Sequence, residues 1–69
     1  MTIEWINGFE IKTVAQKGEI VISANREGLM SLAKHLMALA DAVPGDHIHY
    51  DEHNSLEEGS AEMTIERIS

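Results

Sequence analysis

Apolar and polar residues alternate in short runs near both ends of the chain, whereas in its middle the apolar residues recur at helical spacing. Over residues 2–24, three alternating runs are separated by Asn7-Gly8, whose residues tolerate positive φ, and by Lys17-Gly18. The pattern therefore predicts three antiparallel strands in a meander. These strands are residues 2–6, residues 9–16 and residues 19–24.

Two registers of this meander are compatible with the sequence, because the turn lengths decide which apolar side chains share a face. If both turns have two residues, one face carries Phe9, Ile11, Ile20 and Ile22, and the other carries Ile3, Trp5, Val14 and Val21. The second set would then form an apolar patch on the side away from the helix, where it would serve as a contact surface. A glycine bulge at Gly18 would instead re-pair the strands and flip one set, and Trp5 would be buried at the sheet edge.

The middle of the chain predicts one amphipathic helix that begins after Asn25 and ends by about residue 42. Asn25 can cap the first turn, Glu27 suits the positive end of the helix dipole, and Pro44 disfavours helical geometry before it. Gly28 in the first turn indicates either a close approach to the sheet or a frayed end. The predicted apolar face is Leu29, Leu32, Ala33, Leu36, Met37, Leu39, Ala40 and Val43, and the opposite side is Ser31, Lys34, His35 and Asp41.

Two further alternating segments follow the helix, residues 46–51 and 61–68, and the polar loop 52–60 separates them. Their short connection predicts an antiparallel pair. The expected fold is a single small α+β domain over residues 1–69, in the order β-β-β-α-β-β. It would have one mostly antiparallel sheet with the helix packed on one face.

The length of the chain limits its core. A domain of this size buries only about 60% of the surface that its unfolded chain exposes, and the absence of cysteine rules out a disulfide. We therefore expect a dimer or a partner protein to support the fold. The lack of cysteine fits a reducing compartment, and neither a secretory signal nor a long apolar run is present, so we expect a soluble, cytoplasmic protein.

Charge is distributed unequally along the chain. The formal net charge is −7; residues 41–69 contain eight acidic side chains and one basic one, whereas residues 1–40 contain four of each. Such a chain repels nucleic acids and anionic membranes and attracts a basic surface. The expected partner is therefore a basic protein, and neither nucleic acid nor membrane.

The segment from Pro44 to Ser60 holds most of this negative charge, with Tyr50 and three histidines interleaved. Carboxylates grouped in this way can meet lysine and arginine side chains of a partner. The alternative is that the same charges only keep a small protein in solution. The candidate partner-binding residues are Asp46, Asp51, Glu52, Glu57 and Glu58.

His47, His49 and Asp51 alternate along one face of the fourth predicted strand, a spacing that zinc or another divalent ion can use. His53, or a carboxylate of the last strand, would add a ligand. The alternative is a solvated strand face on which histidines lie among carboxylates. We expect no resident metal or cofactor. Without a nucleophile motif or a phosphate loop, we also expect no enzyme, and His35 on the helix is interpreted as a surface residue.

Residues 24–40 and 44–66 resemble the immunity protein 32 family of bacterial polymorphic toxin systems. The most specific motifs are EGL-x-SLA-x-HL in the helix, H-x-H-x-DE after it, and SLE-x-GS before the last strand. The resemblance implies a cytoplasmic antitoxin that is made next to a toxin and binds it, so that the producing cell survives. An acidic immunity protein would suit a basic toxin such as a nuclease domain. The family supplies no established functional residues to transfer.

Two other functions are compatible with the residues. One is a small metal-binding module that uses His47 and His49. The other is a self-associating structural domain, in which an edge strand or the patch of Ile3, Trp5, Val14 and Val21 forms a homodimer.

Overall fold

A computed structural model describes the whole chain, residues 1–69. Four short strands and one helix make up its regular structure, and the helix separates the strands into two pairs. The single helix lacks the length and the apolar character that a bilayer crossing requires. In chain order the elements are β1 (Ile11–Gln16), β2 (Glu19–Ala24), α1 (Arg26–Ala40), β3 (His47–Tyr50) and β4 (Met63–Glu66).

β1 and β2 form an antiparallel hairpin through a two-residue turn, at which Lys17 has φ 50° and Gly18 has φ 78°. Two consecutive positive φ values give a turn whose twist matches the twist of the strands, so no bulge is needed. In the resulting register Thr13 pairs with Ile22, and Val14 pairs with Val21. Of the two registers that the sequence leaves open for this hairpin, the structure has the one with a two-residue turn.

The predicted first strand is wrong. The turn at residues 7–8 forms, with the Phe9 amide donating to the Ile6 carbonyl at 3.2 Å, but residues 2–6 lie along the helix and pair with no strand. The Ile6 amide donates to Ser31 Oγ at 2.8 Å. Trp5 stacks on Phe9, with ring centroids 4.4 Å apart, and packs against α1, because this position covers its ring better than an open sheet edge would.

The predicted single sheet is also wrong, although the α+β class is confirmed. The strands form two separate two-stranded antiparallel sheets, β1-β2 and β3-β4. Residues 57–61 run beside β1, where the Glu57 amide donates to the Ile11 carbonyl at 2.9 Å and the Ala61 amide to the Thr13 carbonyl at 3.0 Å. Five residues of this segment, 57–61, therefore lie opposite only three residues of β1, 11–13. Gly59, in the middle of the segment, has φ 84°. The segment thus bulges away from β1 and does not form a regular strand pairing with it.

The helix begins as the sequence predicts. Asn25 caps it, with Oδ1 accepting from the Gly28 amide at 2.8 Å, and the same side chain binds Glu10 N and the Gly8 carbonyl, each at 2.9 Å. A Cβ built on Gly28 would lie 2.5 Å from the Glu10 carbonyl oxygen and 2.9 Å from Ile11 Cγ1. The glycine therefore permits the close approach of helix to hairpin, and its first turn is not frayed.

The buried face of α1 differs from the predicted one. Leu32 and Leu39 are buried as expected, but Leu29, Leu36 and Met37 are exposed. The contact of Gly28 with β1 rotates the helix, so that small and hydrogen-bonded polar residues face inward instead. The complete buried set is Gly28, Ser31, Leu32, His35 and Leu39.

One small core lies between α1 and the two hairpins. Eleven of the 69 residues are buried, a small number even for a chain of this size, and ten large apolar side chains remain exposed. Apolar side chains of the N-terminal segment, residues 1–10, and of β4 complete the packing around the core. Its buried apolar members are Ile11, Leu32, Leu39, Ile48, Tyr50 and Leu56.

Candidate partner-binding site

Residues 51–60, the loop that makes up most of the connection between β3 and β4, are held by their own hydrogen bonds. Asp51 Oδ1 accepts from the amides of His53 at 2.8 Å and Asn54 at 3.0 Å. The Asp51 carbonyl accepts from the next residues of the same turn, including Leu56 N at 2.8 Å. An aspartate that binds backbone amides two and three residues ahead stabilises a tight turn, so this half of the loop has a defined shape.

Several contacts hold the loop in place against the rest of the molecule. The Leu56 side chain is 4% exposed and belongs to the core. Glu57 N donates to β1, and the Gly59 amide donates to Glu52 Oε2 at 2.9 Å, which closes the loop on itself. Lys12 Nζ reaches the Glu58 carbonyl oxygen at 3.3 Å from the side. The loop is therefore preorganised although it contains no regular strand or helix.

The carboxylates of this loop have no cationic partner. Glu52, Glu57 and Glu58 are exposed, and the one salt bridge in the whole chain joins Arg26 to Glu27 at 3.9 Å. Lys12 binds loop backbone and no carboxylate. Negative charge is thus concentrated on a fixed backbone and remains free to meet a cationic surface.

Four of the five predicted partner-binding residues lie together, and Asp46 does not. Asp51, Glu52, Glu57 and Glu58 all belong to the loop, whereas Asp46 precedes β3 at its other end. Five residues of extended chain separate Asp46 from Asp51, a distance of about 16 Å. Its Oδ2 accepts from the Val43 amide at 3.4 Å, in the turn that follows α1. The candidate site is therefore residues 51–60, the acidic loop, and it does not include Asp46.

The histidines of β3 form a pair rather than a three-ligand set. The rings of His47 and His49 lie edge to face, with centroids 4.8 Å apart, and His49 Nδ1 is 3.0 Å from Thr64 Oγ1. The Asp51 carboxylate binds loop amides instead of joining them. No group of three or more histidine and carboxylate side chains is arranged to hold a metal ion.

His35 is fully buried, so its interpretation as a surface residue is wrong. Its Nε2 lies 2.7 Å from the Glu4 carbonyl oxygen, and its Nδ1 lies 2.7 Å from the Tyr50 hydroxyl. A carbonyl oxygen only accepts, so Nε2 carries a proton, and in the neutral ring Nδ1 accepts from Tyr50. Burial also raises the pKa of Tyr50 to about 12.

This hydrogen-bond chain joins the N-terminal segment, α1 and β3, and sequence reasoning did not find it. The one available signal was Tyr50 on the inward face of β3, because a buried tyrosine hydroxyl needs a partner. The partner had to come from the helix face that meets β3. His35 was the one helix side chain there with both a donor and an acceptor nitrogen.

Comparison with known proteins gives one clear result. No curated protein and no solved structure matches the chain. The family model described as Immunity protein 32 matches residues 19–68, which include β2, α1, the acidic loop and β4. This match extends over most of the 69 residues, so the chain belongs to the immunity protein 32 family.

Proposed function

We propose that this immunity protein neutralises a cognate toxin domain by binding it through the acidic loop, and that the toxin surface is basic. The proposal is supported by the family and by one observation: four carboxylates share a loop that is closed on itself and contains no ion pair. The protein acts by covering the toxin and catalyses no reaction itself. The proposed place of action is the cytoplasm of the producing cell.

The geometry favours fast and selective binding. Hydrogen bonds within residues 51–60 and the buried Leu56 limit the entropy that the loop backbone loses when a partner binds. Unpaired carboxylates attract a basic surface from beyond contact distance, which raises the association rate and orients the encounter. A toxin that uses such a surface to hold a phosphate-rich substrate would be blocked by the same contact.

The side chains of the loop divide into two classes, and this division decides the test. Asp51 and Glu52 accept backbone hydrogen bonds, so changing them also alters the loop. Glu57 and Glu58 contribute only backbone groups to the fold, and their carboxylates are free. The double variant Glu57→Gln/Glu58→Gln therefore removes charge and leaves the loop in place.

The experiment uses the toxin domain encoded beside this protein. We expect the double variant to associate with it at least tenfold more slowly at low salt, and the difference to shrink at high salt because the charges are screened. The matched control is Glu62→Gln/Glu66→Gln, which makes the same charge change on exposed positions of β4 and its approach. Equal association rates for both variants would show that the acidic loop is not the contact surface.

A further inference from the structure

The β1-β2 hairpin leaves one edge unpaired. No hydrogen bond joins the backbone of residues 19–23 to any part of the molecule other than β1, whereas the opposite edge of β1 is covered by residues 57–61. β2 contains Ile20, Val21 and Ile22 in succession, and Glu19 is its one charged residue. An apolar strand with a free edge is suited to pairing with another strand.

Both faces of β2 are open to solvent, including the face that the helix should cover. Ile22 pairs with Thr13 and Ile20 with Ala15, which places them on the face that carries Ile11 and packs against Gly28. The helix covers only the Ala24 end of this face. The exposed fraction of the residue rises from 43% at Ile22 to 75% at Ile20, which lies farther from the helix.

The helix has an apolar stripe that is equally uncovered. Leu29, Ala33, Leu36 and Ala40 follow one another at intervals of four, three and four residues, so they form one stripe beside the buried face. The opposite flank is covered, since Ser31 binds the N-terminal segment at Ile6. Leu29 is 56% exposed and Leu36 is 51% exposed.

The exposed area of the chain agrees with a missing partner. Its accessible surface is 4841 Å², whereas a folded monomer of 7.6 kDa is expected to have about 4300 Å². A stable pair of proteins covers about 800 Å² on each partner. The free edge, the open hairpin face and the helix stripe together supply an apolar surface of the kind that such an interface needs.

The distribution of charge favours a second copy as the partner. Residues 19–40, which contain β2 and α1, carry Glu19, Glu27, Arg26 and Lys34 and are neutral overall, whereas residues 41–69 hold the whole net charge of −7. Two copies that meet through β2 avoid the repulsion that contact between their acidic loops would cause. The acidic loop lies beyond the far edge of β1, so it would face outward on both copies.

We infer that two copies of the chain associate through β2, which pairs antiparallel with β2 of the second copy across a twofold axis. An axis perpendicular to the hairpin keeps both helices on the same face of the joined strands. The stripe of Leu29 and Leu36 then meets the same stripe of the other helix above Ile20 and Ile22. This interface is distinct from the proposed toxin contact and leaves both acidic loops free.

The test measures the mass of the protein in solution. Sedimentation equilibrium of the full chain should give a mass that rises with concentration toward twice 7.6 kDa. Ile20→Lys and Leu36→Glu should each raise the dimer dissociation constant at least tenfold while the circular dichroism of the monomer is preserved. The control is Ile68→Lys, at a residue that is 88% exposed and remote from β2, which makes the same charge change as Ile20→Lys and should have no effect.

A second measurement does not depend on a destabilising variant. The chain contains no cysteine, so Val21→Cys or Ile22→Cys introduces a single thiol, which should form an intermolecular disulfide on mild oxidation far faster than Ile68→Cys does. The inference is overturned if the wild-type mass stays at 7.6 kDa at millimolar concentration, or if Ile20→Lys and Ile68→Lys dimerise equally. It is also overturned if Ile20→Lys weakens only toxin binding, because the face would then belong to the toxin.

Discussion

Residues 1–40 and residues 41–69 of this protein expose different kinds of surface. The first part is electrically neutral and leaves apolar side chains of β2 and α1 in water; the second has a net charge of −7 and leaves carboxylates in water. Apolar contacts depend on buried area and change little with salt, whereas contacts between exposed charges weaken as salt rises. One small protein thus contains two surfaces that respond to different conditions.

The two parts nevertheless share one core. Leu56 anchors the acidic loop against Ile11 and the helix, and Tyr50 reaches across to His35. The backbone of Glu57 is bonded to β1. Neither surface can therefore be displayed correctly unless the contacts between the parts are intact, and variants at these contacts test how far the parts depend on each other.

The largest effect is expected when the acidic loop loses its anchor. Leu56→Ala removes a side chain that is 4% exposed, and substitutions of this kind cost about 2–5 kcal/mol of unfolding free energy. Leu29→Ala, at an exposed position of the helix, is the matched control and should change the monomer by less than about 0.5 kcal/mol. Urea denaturation at low protein concentration measures both; equal effects would contradict the assigned role of Leu56.

The next effect concerns Tyr50 and alkaline pH. The pKa of Tyr50 is raised from 10.0 to about 12 in the folded protein by burial, so the folded state holds its proton more tightly than the unfolded state does. The contribution of this group to stability is complete below pH 10 and is lost as the pH rises through 12. The free energy of unfolding should fall by about 2–3 kcal/mol over that window.

Tyr50→Phe is the control for this prediction. It weakens the protein at neutral pH because His35 Nδ1 loses its partner, by roughly 1–3 kcal/mol, but the additional alkaline loss should disappear. Because the chain has a single tyrosine, its ionisation can be followed directly by ultraviolet absorbance. A tyrosine that titrates near pH 10 in the folded protein would contradict the burial of its hydroxyl.

A smaller effect is expected at the start of the helix. Asn25→Ala removes the cap and the two bonds that hold residues 8 and 10, and should cost about 1–2 kcal/mol. Asn25→Asp keeps the acceptor for the Gly28 and Glu10 amides but places a carboxylate oxygen where the Asn25 amide donated to the Gly8 carbonyl, so it should recover only part of the loss. Thermal unfolding of the three proteins makes the comparison. Equal melting temperatures for wild type and Asn25→Ala would contradict it.

Local signals in the sequence predicted local structure well. The turn at Lys17-Gly18 and the cap at Asn25 formed as expected, because each depends on residues that are neighbours in the chain or directly across a turn. Of the alternatives left open at Gly18 and Gly28, the structure has the two-residue turn and the close approach to the hairpin. The α+β class followed from the periodicities. The loop between the last two strands also had the predicted place.

Long-range choices were the ones that sequence reasoning missed. Residues 2–6 alternate like a strand, but Trp5 gains more by packing on Phe9 and His35 than by extending a sheet. Leu36 and His35 are adjacent, and the pattern assigned the leucine to the core and the histidine to the surface, whereas the structure reverses them. Hydrophobicity alone could not reveal that the histidine has partners on two other segments.

The way in which residues 57–61 are fastened has a consequence for how such a protein can diversify. The segment is attached to β1 by main-chain amides, while the carboxylates of Glu57 and Glu58 take no part in that attachment. Replacing these two side chains leaves every one of those amide bonds available. Under the proposed toxin contact, new specificities would arise by exchange of these two side chains, while the backbone bonds that hold the segment stay the same.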